Sequence, residues 1–254
     1  MVKGLDKFRE HFSEYTDHYT IIGGTACFWN LQSEGLGFRV TRDIDMIVVL
    51  ENYDAIFNRH LWKFFVDGKY SNLQKELTEQ KFYRFVNPEN KEYPNQIEIL
   101  CRRPEAITLP ESIKVTAIDP KEYFSHLSAI ILDDEYYGFT ISHSYLLNGL
   151  HISGVEALIC LKAYAYLNLR NRKEQGEAID GSDISKHKKD VFRLGAALRN
   201  PVVNLPVKIR SDLQLFVELM EHENPEVGGL LKLMGVTDLT REDILSNIKQ
   251  SFGL

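Results

Sequence analysis

The segment from Arg39 to Leu50 constrains the fold more than any other part of the chain. It begins Arg-Val-Thr-Arg-Asp-Ile-Asp and continues as an uninterrupted apolar run. Alternation that ends in consecutive apolar residues predicts a strand whose second half lies in a core. Side chains at alternate positions of such a strand project to one side, and here these are Arg39, Thr41, Asp43 and Asp45. Because neighbouring carboxylates repel each other, we expect a cation between the two aspartates.

A third carboxylate lies in another predicted strand. Glu98 is flanked by isoleucines in Gln-Ile-Glu-Ile-Leu. If the two strands are neighbours, Glu98 can join Asp43 and Asp45. Three carboxylates can hold two metal ions, one activating an attacking hydroxyl and the other neutralising a leaving phosphate. Mg²⁺ prefers oxygen ligands, so we expect two Mg²⁺ ions, with Mn²⁺ as the alternative.

Upstream, a β-rich stretch from Tyr19 enters a helix through the pair Gly23-Gly24, and Thr25 starts that helix. Glycine lets the backbone approach a phosphate closely, and a helix N-terminus offers unpaired N–H groups. Taken singly, a glycine pair is usually a turn, Asp-X-Asp is usually solvated, and Glu98 could be one polar residue of a half-exposed strand. The order and spacing of all three together favour a nucleotide site.

These motifs resemble a known group. Gly-Gly-Thr-Ala, Arg-Val-Thr-Arg-Asp-Ile-Asp and Ile-Glu-Ile, in this order, resemble the signature of the polymerase-beta-like nucleotidyltransferase superfamily. The segment Arg39 to Asp45 is particularly similar to the abortive-infection toxin branch (AbiEii/AbiGii-like). The resemblance implies that the glycines hold a nucleoside triphosphate (NTP), that Asp43 and Asp45 ligate magnesium, and that Glu98 completes the site. The nucleotide-binding residues that it implies are Gly23, Gly24, Thr25, Arg39, Thr41, Lys189 and Asp190.

That branch also has a helical C-terminal half, with a lysine on one helix and a basic-Asp pair on the next. Leu-Ile-Cys-Leu-Lys-Ala matches the first at Lys162, and the second matches at Lys189-Asp190. Many relatives have a second aspartate where this chain has Arg193.

Lys162 also stands out on its own helix, because it shares a face with Leu158, Ala165 and Leu169. A lysine in an apolar stripe is costly unless its charge meets an anion. We therefore predict that Lys162 is catalytic and reaches across the domain cleft to the triphosphate. A lysine that snorkels at the edge of the stripe remains open. For Asp190, a plain surface ion pair with Lys186 remains open.

The pattern of the whole chain predicts an α+β fold. We expect residues 1–150 to form a mixed sheet with flanking helices, which the resemblance implies is a nucleotidyltransferase catalytic domain. We expect residues 151–254 to form a C-terminal helical bundle, which the resemblance implies completes the nucleotide and acceptor cleft. Helices are predicted at 25–32, 51–66, 155–172, 184–199, 207–222, 228–234 and 241–252.

Strands are predicted at 19–23, 39–50, 81–86, 96–102 and 113–118. The segment between the third and fourth of these is rich in Asn and Pro, which favours an antiparallel connection. The apolar stretch 127–143 fits no single element, so its structure stays open.

Charge narrows the function. A formal net charge of −6 argues against indiscriminate nucleic-acid binding by the whole surface. The stretch 162–199 nevertheless holds nine Lys/Arg against five acids, which suits a local phosphate-binding surface. No apolar run reaches the roughly 20 residues of a membrane span, and the N-terminus lacks the apolar core of a signal peptide. The three cysteines, Cys27, Cys101 and Cys160, suit buried free thiols in a reducing compartment, so we expect a cytoplasmic protein without membrane partners.

The predicted reaction is transfer of a nucleoside monophosphate from an NTP to an acceptor hydroxyl. The resemblance favours RNA as acceptor, particularly a tRNA end, in a type IV toxin–antitoxin system with a cognate antitoxin protein. Transfer to a small molecule or a protein remains open, as does a catalytically silent nucleotide- or RNA-binding module.

Overall fold

The computed structural model describes residues 2–77, 80–101, 116–117, 133–199 and 202–254. The chain divides into two compact units. The first comprises Met1–Ala26, Val40–Asp134 and Ser144–Ser153, and the second comprises Cys27–Arg39, Glu135–His143 and Gly154–Leu254. The second unit therefore contains two segments of the N-terminal half, Cys27–Arg39 and Glu135–His143. A division of the chain into 1–150 and 151–254 would place both segments in the first domain.

The first unit is built on a mixed sheet. Its strands are β1 (Tyr19–Ile22), β2 (Asp43–Val48), β3 (Ser71–Leu77), β4 (Gln80–Val86), β5 (Gln96–Leu100), β6 (Thr116–Ala117), β7 (Ser144–Leu147) and β8 (Leu150–Ser153). They lie in the order β6-β3-β4-β5-β2-β1-β8-β7. The strand β2 is antiparallel to β1 and parallel to β5, and β4 is antiparallel to β5. With the helices that follow, this arrangement confirms the predicted α+β class.

Two helices of the first unit, α1 (Leu5–His11) and α3 (Ala55–Gly68), share an aromatic core. The ring of Phe8 lies 5.3 Å from that of Tyr19 on β1 and 5.8 Å from that of Phe64 on α3. Edge-on contacts of this kind stabilise a core beyond the area that they bury. The helix predicted from residue 51 begins later, at Ala55, because the Asp54 carboxylate caps it by accepting from two backbone N–H groups.

The remaining helices are α2 (Gly23–Ser33), α4 (Asp134–Ser142), α5 (Val155–Glu174), α6 (Gly181–Ala196), α7 (Val207–Glu223), α8 (Gly228–Met234) and α9 (Arg241–Phe252). Apart from the first residues of α2 and α4, they belong to the second unit. Here α6 and α9 approach closely at Gly195, where an added Cβ would lie 2.6 Å from Ile244 Cγ2. Most of the α5 side chains between Ala157 and Leu169 are buried, so α5 forms the centre of this unit.

Several boundaries differ from the predictions. The strand expected from residue 39 begins only at Asp43, so Arg39 and Thr41 precede it. The hairpin β7–β8 is an element that the sequence patterns do not predict. Helix α4 covers part of the apolar stretch 127–143, for which the sequence predicts no single element. Residues 127–132 lie outside the described residues, as does most of the strand expected at 113–118.

Two other expectations concern the chain as a whole. The three cysteines are buried and free, as predicted. Among the helices within the described ranges, none is long and apolar enough to cross a membrane.

Candidate functional site

The glycine pair positions one of the two aspartates. Strand β1 ends at Ile22, which pairs with Asp45 of β2, and α2 begins at Gly23 with a φ of +66°. A Cβ added at Gly23 would lie 1.9 Å from Asp45 Oδ2. The Asp45 carboxylate therefore lies directly against the backbone at the N-terminus of α2, where the helix dipole favours a negative charge. Glycine is required here both for the left-handed φ and for this close approach.

Thr25 positions the other aspartate. Its side chain is fully buried, and its hydroxyl donates a 2.6 Å hydrogen bond to the backbone carbonyl of Asp43. This bond joins the first turn of α2 to the first residue of β2. The Thr25 hydroxyl thus makes a structural contact, and the binding of nucleotide by Thr25 stays a prediction.

The three predicted carboxylates share one face of the sheet. In the parallel pair β2–β5, Asp43 is opposite Gln96 and Asp45 is opposite Glu98. Side chains at paired positions project to the same face, and residues two apart on one strand do so as well. The two aspartates are half-buried, whereas Glu98 is buried.

Glu98 is held by a basic residue that the sequence does not single out. Arg84 of β4 lies opposite Glu98, and its Nε donates to Glu98 Oε1 at 2.8 Å. Gln96 Nε2 donates to the same oxygen at 3.1 Å. The pair is largely shielded from solvent, since 14% of the Arg84 side chain and 3% of the Glu98 side chain are exposed. Nothing local in the sequence marks this pairing, because it depends on the register of β4 and β5.

In the part of the chain that the structure describes, no group of three or more His, Cys, Asp or Glu side chains lies close enough to share a metal ion. Asp43 and Asp45 still offer oxygen ligands of the type that Mg²⁺ prefers. Both Arg84 and Gln96 donate to Oε1 of Glu98, and its second carboxylate oxygen, Oε2, is buried.

The second unit contains a separate charged group around Asp190, which we call the Asp190 cluster: Arg39, Lys162, Asp190 and Arg193. Asp190 is fully buried on α6. Its Oδ2 lies 3.0 Å from Arg39 Nη2 and 3.6 Å from Lys162 Nζ. Its Oδ1 accepts from Arg193 Nη1 at 2.9 Å. Three cations therefore surround one carboxylate.

The cluster decides both alternatives raised for its members. Lys162 is 2% exposed, so it does not snorkel to solvent. Asp190 is not half of a surface ion pair, since it has no exposed surface. Burial alone would raise the pKa of the Asp190 carboxyl, but Lys162, Arg39 and Arg193 together outweigh it and lower that pKa. Cys27 is close enough to sense these charges, yet burial raises the pKa of its thiol to about 12.

The basic stretch 162–199 is largely neutralised within the second unit. Two of its nine basic residues belong to the Asp190 cluster. Four more form salt bridges: Arg170 with Glu174 and Glu223, Arg172 with Glu177, Lys188 with Glu223, and Arg199 with Glu34. Among the described residues, the stretch keeps three exposed lysines without a salt bridge, namely Lys173, Lys186 and Lys189. Thr41, the remaining predicted nucleotide-binding residue, is buried.

Comparisons with known proteins yield structural similarity only. No protein-family profile matches the chain, and no curated protein matches its sequence. The chain is similar to a crystal structure of an antigenic nucleotidyltransferase-like protein from Paracoccidioides brasiliensis, with 14% identity and a TM-score of 0.47 over 92% of this chain and 95% of that one. It is also similar to a proposed nucleotidyltransferase from H. pylori, with 12% identity and a TM-score of 0.31 over 96% and 88% of the two chains. The similarity to JHP933 from Helicobacter pylori has 10% identity and a TM-score of 0.30, and it covers 96% of this chain and 85% of that one.

Proposed function

We propose that the protein is a metal-dependent nucleotidyltransferase that moves a nucleoside monophosphate from an NTP to an acceptor hydroxyl. One observation carries the proposal: the Asp45 carboxylate lies against Gly23 at the start of α2 and is in register with Glu98 on the neighbouring strand. The N-terminus of α2 and a row of acids are thus adjacent in one unit. Positioning and neutralisation of charge supply most of the catalysis in phosphoryl-type transfer.

In the proposed reaction the acceptor hydroxyl loses its proton near Asp43, Asp45 and Glu98. Its oxygen forms a bond to the α-phosphorus, the bond from that phosphorus to the bridging oxygen breaks, and the electron pair leaves with pyrophosphate. Backbone N–H groups at Gly23 and Gly24 are suited to hold the phosphates. Arg39, Thr41, Lys162, Lys189 and Asp190 remain proposed contributors to nucleotide binding.

The donor set fits magnesium through Asp43 and Asp45, which are half-buried carboxylates on one strand face. Bound there, Mg²⁺ would neutralise phosphate charge and favour the deprotonated acceptor. The chain itself sets the positions of these ligands, Asp45 through Gly23 and Asp43 through Thr25.

For the acceptor we propose RNA, particularly a tRNA end, with the protein acting as a type IV toxin opposed by an antitoxin. The support is the motif resemblance together with the three exposed lysines Lys173, Lys186 and Lys189. An RNA surface here would be small, because the other basic residues of the stretch are already paired.

The decisive experiment incubates the full chain with labelled NTPs, Mg²⁺ and total RNA or lysate, and follows the label by mass spectrometry. Wild type should label an acceptor, whereas Asp45→Asn should not, although it keeps the volume of the side chain. Asp54→Asn, which changes the cap of α3 outside the site, is the matched control and should retain activity. Equal labelling by Asp45→Asn and wild type would show that Asp45 has no role in the reaction.

A second candidate is a catalytically silent nucleotide-binding module. The salt bridge between Arg84 and Glu98 favours it, because that bridge already neutralises the third acid. Magnesium-dependent NTP binding without labelling of any acceptor by wild type would support this alternative over transfer.

A further inference from the structure

Two histidines join the end of helix α1 to the middle of helix α3. His11 Nε2 donates to the backbone carbonyl of His60 at 3.0 Å, and His60 Nε2 donates to the backbone carbonyl of His11 at 2.6 Å. Because a carbonyl oxygen can only accept, each ring carries a hydrogen on Nε2, and in the neutral form its Nδ1 has none. His11 is the last residue of α1, so its carbonyl is one of those that a helix leaves without an intrahelical donor. The His60 side chain therefore caps the C-terminus of α1.

The two imidazole rings are also stacked on each other. Their centroids lie 4.0 Å apart, and their planes are inclined by 23°. Phe12 and Phe64 contact the His11 ring edge-on, and both histidines are half-buried. Two neutral rings are compatible with this stack. Two imidazolium rings would place like charges 4.0 Å apart where water reaches them only in part, so they would repel each other.

The charged neighbours of the pair compensate little of this repulsion. Those that face His11 come from α3, namely His60, Lys63 and Asp67. Asp67 accepts a 2.6 Å hydrogen bond from Lys63 Nζ, so an ammonium already matches its charge. The titratable groups in contact with His60 are His11 and Tyr15. Burial lowers the pKa of His11, and the charge of His60 lowers it further, although the hydrogen bond to the His60 carbonyl raises it.

We propose that the His11–His60 pair is an acid-sensitive switch, which holds the C-terminal end of α1 on α3 until both rings are protonated and then releases it. A first proton on either Nδ1 leaves both hydrogen bonds in place, because Nε2 keeps its hydrogen. A second proton adds the repulsion between the stacked rings. Separation of the rings relieves this repulsion and breaks both hydrogen bonds. The last turn of α1 and the segment that leads from it to β1 then open locally.

The experiment compares amide hydrogen exchange of the full chain at about pH 8 and about pH 5, on either side of the ordinary histidine pKa, with correction for the intrinsic rates. Peptides that cover residues 9–18 should lose protection about tenfold or more at the lower pH, because like charges then repel across the stack. Peptides from α9 should keep the same protection at both pH values. Equal protection of residues 9–18 at both pH values in wild type overturns the proposal.

The variant His60→Gln removes the second charge. Its side-chain amide can still donate to the His11 carbonyl but cannot take up a proton, so residues 9–18 should be equally protected at both pH values. His151→Gln is the matched control, since it removes another half-buried histidine of the first unit and should keep the acid response of wild type. A response of His60→Gln as large as that of wild type overturns the proposal.

A second measurement follows the imidazole C–H resonances by NMR. In wild type the two rings should take up protons in two separate steps, as coupled groups do, whereas the remaining ring of His60→Gln or His11→Gln should titrate in one. A single shared step in wild type would show that the rings do not repel each other and overturns the switch. If His60→Gln fails to fold, His11→Gln decides by the same exchange criterion. None of these measurements needs a nucleotide or a metal, so their outcome is independent of the proposed function.

Discussion

Gly23 is the residue whose role follows most directly from the geometry. A methyl group there would meet Asp45 Oδ2 at 1.9 Å, and the φ of +66° disfavours any side chain. We predict that Gly23→Ala lowers the free energy of unfolding by about 1–2 kcal/mol and abolishes nucleotidyl transfer by displacing Asp45. Gly35→Ala is the matched control, since it also has a positive φ, +73°, but an added Cβ there meets nothing within 4 Å. Urea unfolding and the labelling assay measure the two effects; full activity of Gly23→Ala would contradict the prediction.

The Asp190 cluster should respond asymmetrically to removal of its members. Lys162→Met keeps the apolar stem, and Asp190 retains Arg39 and Arg193, so this variant should unfold at the same or a higher urea concentration than wild type. Asp190→Ala leaves three cations without their shared carboxylate and should cost about 3–5 kcal/mol. Comparable destabilisation by both variants would mean that Lys162 has a structural rather than a ligand-binding role.

At the scale of the element, sequence patterns predict the last three helices closely but miss a hairpin. The bounds expected for α7, α8 and α9 lie within one residue of those observed, because 3.6-residue apolar spacing is local information and proline precedes α7. Hydrophobic periodicity does not predict the hairpin β7–β8, although the dipeptide of its turn, Asn148-Gly149, is a strong hairpin signal. Both turn residues have positive φ, 51° and 73°, as that turn type requires.

This turn provides a test at the element scale. Gly149→Ala should destabilise the first unit by about 1–2 kcal/mol, because alanine is strained at the φ of +73°. Gly138→Ala is its counterpart within helix α4, where an added Cβ meets nothing within 4 Å, and it should stabilise by about 0.5–1 kcal/mol. Urea unfolding of the two variants should therefore give free-energy changes of opposite sign. Changes of the same sign would show that the backbone conformation at position 149 does not limit stability.

At the scale of the molecule, the sequence does not reveal contacts between distant residues. Its pattern places Arg39 on the strand of the aspartates, but Arg39 contacts Asp190, which is 151 positions away. Arg193 counts towards a basic surface in the sequence, whereas the same carboxylate holds it in the interior. In contrast, Asp43, Asp45 and Glu98 can be grouped in advance, since alternation within a strand places side chains on a face and only the pairing of β2 with β5 has to be assumed.

Because salt bridges occupy most basic residues of the stretch 162–199, only its exposed lysines are expected to contribute to RNA binding. If RNA is the acceptor, Lys186→Glu and Lys189→Glu should weaken binding and reduce the slope of log K against log salt, by about 0.7–0.9 for each phosphate that is no longer neutralised. Lys188→Glu is a control at a basic position already paired with Glu223, so it should change the slope less. Electrophoretic or fluorescence titrations at several salt concentrations measure these slopes. Unchanged slopes in the first two variants would mean that Lys186 and Lys189 are ordinary solvated residues that do not contact RNA phosphates.

Two half-buried histidines, His11 and His151, make the stability of the first unit depend on pH. Burial lowers the pKa of His11 and of His151 below the ordinary value of 6.5, although each ring bonds a backbone carbonyl, His60 and Tyr19 respectively. The unfolded chain therefore binds protons at a higher pH than the folded chain does. The stabilisation is complete above pH 6.5 and is lost as pH falls through the lower pKa values of the folded state.

We accordingly predict that the free energy of unfolding is constant from pH 8 to about 7 and decreases from there towards about pH 5. His151→Gln can retain a hydrogen bond to Tyr19 but cannot titrate, so its profile should be flatter than that of wild type. His222→Gln, at an exposed position of α7, is the matched control for the substitution itself. The titration of the histidines, and not that of Asp190, causes this decrease in the free energy of unfolding. Because the pKa of the Asp190 carboxyl is lowered in the folded state, its contribution to stability is lost only below about pH 3.8. Urea unfolding between about pH 5 and 8 decides the matter, and stability that rises on acidification would show that neither histidine is neutral in the folded protein.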